Sequence, residues 1–345
     1  MRVAIAISGG FDSATSALLL KRQGHQVIGL HMLIHEASEE IRENAHRVAK
    51  QVGIEVVSVD LRDKFAEVVV EPFLKGYECG FTPSPCPICN RHIKMDYLLR
   101  YAAVMGCDKL ATGHYAAIAD TEGGAALFKG MSIEKDQSYF LFMLTRDMLG
   151  RLMFPLGSMS KEQVRTLAGD AGLSVAGDEE SQELCFIPHG DYRVFLERKG
   201  VKSRPGPIKD LEGKVLGTHK GITAYTIGQR RGLGISSERP YYVIRIHGDS
   251  NTVIVGRTED TRSSVLRISE VNLLTSRNPL EGSRYQVKVR STTTPSWATV
   301  QSAEGGRLTF RFDTPQSGVA PGQAAVFYEG DRVMGGGWIL PEEEF

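Results

Sequence analysis

Short apolar runs alternate with amphipathic stretches through the first half of the chain. Val3 to Ile7 is almost wholly apolar, as a strand buried on both faces requires. Val27 to His31 and Ile54 to Val59 repeat the pattern, and between them Ile41, Ala45, Val48 and Val52 recur at helical spacing. Gly53 ends that helix. Lys109 to Thr112 reads as a strand leading into Gly113-His114, a strand end of the kind that builds ligand pockets in open α/β sheets. Ser160 and Gln163 form a capping-box pair ahead of Val164, Leu167, Ala168 and Ala171. Together these elements predict an α/β fold with a doubly wound parallel sheet.

The texture changes after about residue 198. Lys199 to Gly221, rich in Gly, Pro and Lys, reads as a linker with a turn. Tyr241 to Ile246 and Thr252 to Val255 alternate as a hairpin around Gly248-Asp249. Tyr285 to Arg290, Trp297 to Val300, Leu308 to Phe312 and Ala324 to Tyr328 then carry only strand signals, spaced as in a small closed β-barrel. The expected domains are 1–198, catalytic; 199–264, central and mostly β; and 265–345, a C-terminal β-barrel.

The 345 residues carry 41 Lys plus Arg against 41 Asp plus Glu, so a nucleic-acid partner must be held by local patches. Arg230-Arg231 and the cluster Lys199, Lys202 and Arg204 are such patches. No apolar run approaches the ~20 residues of a membrane span. The apolar start is too short for a signal peptide and Asp12 breaks it. Five cysteines, an odd number, argue against a disulfide framework. The expected location is cytoplasmic, with no membrane partner.

Directly after the first apolar run, Ser8-Gly9-Gly10 turns the chain and Asp12-Ser13 opens a helix. A strand, a glycine turn and a helix N-terminus make an anion site from backbone N–H groups and the helix dipole. No Gly-Lys-Ser/Thr follows, so this is not the lysine-bearing P-loop. Ser8 to Ser13 instead resembles the Ser-Gly-Gly-x-Asp-Ser signature of the PP-loop ATP pyrophosphatases. Those enzymes cleave ATP between the α and β phosphates and pass AMP to a substrate oxygen.

Cys86 and Cys89 lie in Thr82-Pro83-Ser84-Pro85-Cys86-Pro87-Ile88-Cys89-Asn90, where three prolines predict a stiff, non-helical loop. Two cysteines at this spacing can chelate a metal, form a redox pair or share one reactive thiolate. A zinc site normally has four ligands, and no second Cys-x-x-Cys exists. Cys185 lies apart, in Ser181-Gln182-Glu183-Leu184-Cys185-Phe186. A loop that adenylates oxygen, paired with thiols, suggests oxygen-for-sulfur exchange.

With Ala-Thr-Gly-His-Tyr-Ala (111–116), Lys-Asp-Gln-Ser-Tyr-Phe-Leu (135–141), Tyr-Thr-Ile-Gly-Gln-Arg-Arg-Gly-Leu-Gly-Ile (225–235), Ala-Pro-Gly-Gln (320–323) and Gly-Gly-Gly (335–337), the chain resembles the tRNA-specific 2-thiouridylase family over nearly its whole length. The resemblance implies ATP-dependent conversion of the wobble uridine (position 34) of tRNA to 2-thiouridine. It places ATP on Ala6, Ile7, Ser8, Gly9, Gly10, Phe11, Asp12 and Ser13, with Met32 and Gly113 near the adenine or ribose. Mg²⁺ is expected on the phosphates, and Asp12 is expected to contact it or to cap the helix.

Cys185 matches the position that receives a persulfide, and Cys89 the one that frees the sulfur or attacks the base. Both are expected to be partly exposed thiolates, helped by Arg91 or Lys94. Many family members have Asp where this chain has Cys86, so Cys86, Cys89 and Cys185 offer three thiolates to a [4Fe-4S] cluster, a second route for sulfur. Ser84, Pro85, Cys86, His114, Lys135, Asp136, Gln137, Arg290, Ser291 and Gln323 match positions that contact tRNA, whose anticodon stem-loop is the implied substrate. A cysteine desulfurase or relay protein is the implied sulfur donor. Phe11, Ser84, Asp178, Ser236-Ser237 and Ser291 depart from the family pattern, which touches tRNA choice and leaves the ATP loop and the two sulfur-handling cysteines intact. The rival readings are another PP-loop enzyme, such as a synthetase, and a non-catalytic tRNA-binding paralogue.

Overall fold

The computed structural model describes residues 1–35, 38–173, 184–187 and 190–341. Seven strands arise before residue 160: β1 (Arg2–Ala6), β2 (Gln26–Leu33), β3 (Glu55–Asp60), β4 (Lys109–Ala111), β5 (Ala116–Thr121), β6 (Gly124–Lys129) and β7 (Leu152–Met153). Five form a parallel sheet in the order β3-β2-β1-β4-β7. The chain moves outward on one side of β1 and then returns to its other side, which places the topological switch between β1 and β4. Ligand crevices open at such points, beyond the carboxyl ends of the strands.

Val3, Ala4 and Ile5 of β1 are all fully buried, as a strand covered on both faces demands. Val3 and Ile5 pack with Ala17 and Leu20 of α1 (Phe11–Arg22) and Ala45 and Val52 of α2 (Ser38–Val52). Ala4 faces the opposite core, with Leu98, Leu99 and Ala102 of α3 (Asp96–Val104). The doubly wound expectation therefore holds. So does the capping box: Ser160 and Gln163 bond reciprocally at the start of α4 (Lys161–Asp170).

Residues 82–90 correct the expectation of a non-helical loop. Pro85–Ile88 is a helical turn, continued by a π-helical segment, Cys89–Met95, and then by α3. Pro85 and Pro87 fall in the first turn, where a missing N–H removes no helical bond. Residues 199–221 are no plain linker either. β8 (Gly206–Lys209) and β9 (Val215–His219) pair there, and Ile208 is fully buried. They join β10 (Tyr242–His247) and β11 (Thr252–Gly256), the expected hairpin, in a four-stranded sheet.

The last part is the expected closed barrel. β12 (Arg262–Leu273), β13 (Arg284–Lys288), β14 (Ser296–Glu304), β15 (Arg307–Ser317), β16 (Ala324–Glu329) and β17 (Arg332–Ile339) run in the order β12-β15-β14-β13-β16-β17, and a β12–β17 pairing shuts the ring. β12 and β17 add to the strand runs named from the sequence. The Gly335-Gly336-Gly337 run lets β17 press against its neighbours, since a Cβ on Gly336 would stand 2.6 Å from the Phe142 ring. The β5–β6 hairpin extends the barrel sheet through Arg332 and Phe128. Asn272 Nδ2 donates to the Phe142 and Leu144 carbonyls at 2.6 and 2.8 Å, which fixes the barrel to the first part of the chain.

Candidate functional site

The turn after β1 is built for close approach. Gly9 has φ of +82°, and a Cβ there would lie 3.0 Å from Ala45 N and Asn44 Cβ. Ser13 is buried and its Oγ donates to the Gly10 carbonyl at 2.9 Å, while the Ser8 and Ser13 hydroxyls lie 3.2 Å apart. The loop is thus braced from within, and the first-turn N–H groups of α1 point beyond its end. Behind it, buried His31 holds the Ile7 carbonyl through Nδ1 at 2.8 Å, and burial lowers its pKa, keeping it neutral. Ile7 is buried in the core, Ala6 and Met32 are half-buried at strand ends, and Ser8 is exposed.

Asp12 does not cap α1, which has no side-chain cap. Its Oδ1 accepts hydrogen bonds from the Tyr115 hydroxyl and Lys161 Nζ, each at 2.7 Å. The ammonium lies 5.6 Å from the ring centres of Phe11 and Tyr115. Tyr115 lies inside the Ala-Thr-Gly-His-Tyr-Ala motif and Lys161 between the capping-box residues Ser160 and Gln163, but no local pattern ties either to Asp12. Gly113 approaches the same turn: a Cβ there would lie 3.1 Å from Asp12 C and Ser13 N. The strand end after β4 therefore touches the loop directly.

His114 carries the site toward the cysteines. Its Nδ1 lies 2.6 Å from Thr112 Oγ1 and its ring meets Phe154 edge-on. Burial pushes its pKa down to about 3, with Lys94 adding to the effect. The same Lys94 lowers the thiol pKa values of Cys86, Cys89 and Cys185. Lys94 lies on the π-helical segment that begins at Cys89, a backbone form often found at functional sites. Arg91 exerts no comparable influence on these thiols.

The thiolate expectation is corrected. All five cysteines are free, and Cys89 is buried while Cys86 is half-buried. Burial pushes the Cys89 thiol up to about 12 and raises that of Cys86, against the lowering influence of Lys94. Cys185 is exposed as a residue, yet desolvation of its sulfur still raises it. The three sulfurs feel one another, but among the described residues no three His, Cys, Asp or Glu side chains are grouped to hold a metal ion. Ligation of a [4Fe-4S] cluster by Cys86, Cys89 and Cys185 would have to deprotonate all three thiols against that burial. Asp178 and Ser181 lie outside the described residues.

Several residues matched to tRNA contacts make bonds within the protein. Asp136 accepts from Gly130 N, Ser138 N and Ser138 Oγ. Gln137 Oε1 accepts from Tyr115 N at 3.0 Å, backing the His114 turn. Arg290 donates to the Gly318 and Ile227 carbonyls, and Gln323 donates to the Thr82 carbonyl. Ser84 and Pro85 are buried, while Lys135 and Ser291 are half-buried. A cleft of about 540 Å³ lies on the central sheet's side, lined by Arg230, Arg231, Arg239 and Tyr241. Arg257 lies 3.7 Å from the Tyr241 ring centre.

Comparison with known proteins matches the chain to three family models in sequence order. They are the tRNA methyl transferase HUP domain (residues 1–189), the tRNA methyl transferase PRC-barrel domain (193–257) and the aminomethyltransferase β-barrel domain (263–339). The chain is 46% identical to the tRNA-specific 2-thiouridylase MnmA of Syntrophotalea carbinolica over 98% of each chain. It is 42% identical to the protein of that name from Acidithiobacillus ferrooxidans, again over 98% of each. With that of Syntrophomonas wolfei it shares 44% identity over 98% of this chain and 100% of the other.

Proposed function

From a chain that belongs to the tRNA-specific 2-thiouridylase family, we infer an enzyme that thiolates a uridine of tRNA at the expense of ATP. The finer reading is that the base is the wobble uridine and that sulfur arrives as a persulfide. The observation that carries it is the close packing of the anion-binding loop, Ser8 to Ser13, against Gly113, in a chain whose Cys86, Cys89 and Cys185 share with His114 the electrostatic influence of Lys94.

The carbonyl oxygen of uracil is a poor leaving group, and AMP is a good one. Uridine O2 attacks the α phosphate and pyrophosphate departs. The loop N–H groups and the α1 dipole take up charge on the phosphates, and Lys161 stands beside the loop, bonded to Asp12. Mg²⁺, when bound, supplies charge neutralisation on the triphosphate. Asp12 is the carboxylate that would hold it, and a single protein carboxylate beside substrate phosphates is the usual Mg²⁺ arrangement.

The terminal sulfur of a Cys185 persulfide then attacks C2 of the activated base, and AMP leaves with the old O2. Attack of Cys89 on the Cys185 sulfur releases the thiolated base and leaves a Cys89–Cys185 disulfide, which an external dithiol reduces. Cys185 adds to the upward push on the Cys89 thiol, which supports that pairing. Lys94 favours the thiolate of each. His114, kept neutral, gives the base a hydrogen-bonding edge without adding charge.

The test is mass analysis of tRNA after incubation with protein, ATP, Mg²⁺ and a persulfide donor. The expected result is one sulfur-for-oxygen exchange at the wobble base, lost with Cys89→Ser and with Cys185→Ser. An exchange that survives both substitutions contradicts the mechanism.

A further inference from the structure

We propose that the barrel loop 318–323 is a latch that holds the Cys86–Cys89 segment in its buried position, with Gln323 as the positioning residue. The inference rests on the thiouridylase reading for its purpose, though not for its geometry.

Both backbone polar groups of Thr82 are bound by this loop: Thr82 N donates to the Pro321 carbonyl at 2.9 Å, and Gln323 Nε2 donates to the Thr82 carbonyl at 2.8 Å. Gly322, at φ of +87°, lets the two chains close, since a Cβ there would lie 3.0 Å from Phe81 Cβ and 3.1 Å from the Thr82 carbonyl oxygen. Gln323 is itself anchored, because its carbonyl accepts from Ile339 N of β17 at 2.9 Å. From Thr82 to Cys86 the chain is Pro83-Ser84-Pro85. Two prolines with fixed φ, and restricted residues before them, make this a short stiff rod. A shift at Thr82 is therefore passed to the helical turn that bears Cys86 and leads directly into Cys89.

The loop also faces the other way. Arg290 Nε donates to the Gly318 carbonyl at 2.9 Å, and its Nη2 donates to the Ile227 carbonyl at 3.0 Å. Ile227 lies three residues before Arg230-Arg231. One loop thus connects the basic segment suited to RNA phosphates with the segment that buries Cys89. In the free protein the latch is closed and Cys89 is shielded from solvent. RNA that draws the Gln323 amide away takes its donor from the Thr82 carbonyl and so loosens the cysteine segment.

The experiment measures the iodoacetamide labelling rate of each cysteine, by peptide mass, in the free full-length protein. Gln323→Glu keeps the size and removes the donor; Gln323→Met removes it without adding charge. Loss of this hydrogen bond is expected to raise Cys89 labelling about fivefold or more in both variants, with half-buried Cys107 unchanged. An unchanged Cys89 rate in both variants would overturn the proposal, as would a parallel rise at Cys107, which would mean general loosening. The assay needs neither ATP nor RNA. A chain that labels as expected yet never thiolates RNA keeps the latch and loses the proposed function.

Discussion

Lys161 Nζ lies 2.7 Å from Asp12 Oδ1, although the two residues are 149 positions apart. The bond pins the first turn of α4 to the first turn of α1 and stands a cation beside the anion-binding loop. Lys161 is largely buried and Asp12 about one-third exposed, so the pair is only partly screened.

Lys161→Met is expected to cut ATP-dependent AMP release by roughly 10- to 100-fold, the range for losing a charge-assisted contact. Its effect on urea stability is expected to stay near about 1 kcal/mol, because Asp12 can rehydrate. Steady-state kinetics and urea titration of the same variant separate the two. Unaltered AMP release would remove Lys161 from the reaction.

Gly113→Ala is expected to weaken ATP binding without unfolding the protein. The added methyl meets the backbone of Asp12 and Ser13 at about 3.1 Å, and relief by backbone shifts typically costs about 1–3 kcal/mol. Calorimetric titration with a non-hydrolysable ATP analogue checks this, and an unchanged dissociation constant would contradict it.

The ATP loop was legible in the sequence because its parts are contiguous: an apolar strand, two glycines and a helix start within Val3 to Ala17. The Asp12, Tyr115 and Lys161 cluster was not, since only the fold brings its members together. Gly206, Pro207 and Gly213 disguised the β8–β9 hairpin as a linker, leaving Ile208 as the one fully buried apolar residue in β8. Three consecutive glycines similarly hid β17, whose packing depends on missing side chains rather than on a pattern of them. Around Cys86, proline was read as a helix breaker when its position in the first turn makes it a helix starter. Burial of Cys89 follows from that turn and from the barrel loop, neither of which a spacing of cysteines reveals.

Cys89 should label as a buried thiol. With its pKa pushed up to about 12, its rate in the free protein is expected to keep climbing with pH through the range where an ordinary thiol has levelled off. Lys94→Met removes the cation that favours thiolate and is expected to slow labelling at Cys89 and Cys185 roughly threefold to tenfold at a fixed pH. Lys94→Arg is expected to restore it. Equal rates in wild type and Lys94→Met would remove Lys94 from this role.

His114 is expected to remain neutral across physiological pH. Its folded pKa, pushed down to about 3, lies below the unfolded value of 6.5, so the folded state binds fewer protons between them. The stability it contributes is present above about pH 6.5 and is lost as pH falls toward 3. Urea titrations of His114→Phe are expected to show a flatter acid limb than wild type. A His114 ring resonance titrating near pH 6.5 would contradict the assignment.

The central claim is that the uridine's own oxygen leaves on AMP. It is tested most directly with tRNA carrying heavy oxygen at O2 of the target uridine. The account predicts that each sulfur gained by the base is matched by one heavy oxygen in the phosphate of AMP. Thiolated tRNA formed with AMP free of the label would contradict it.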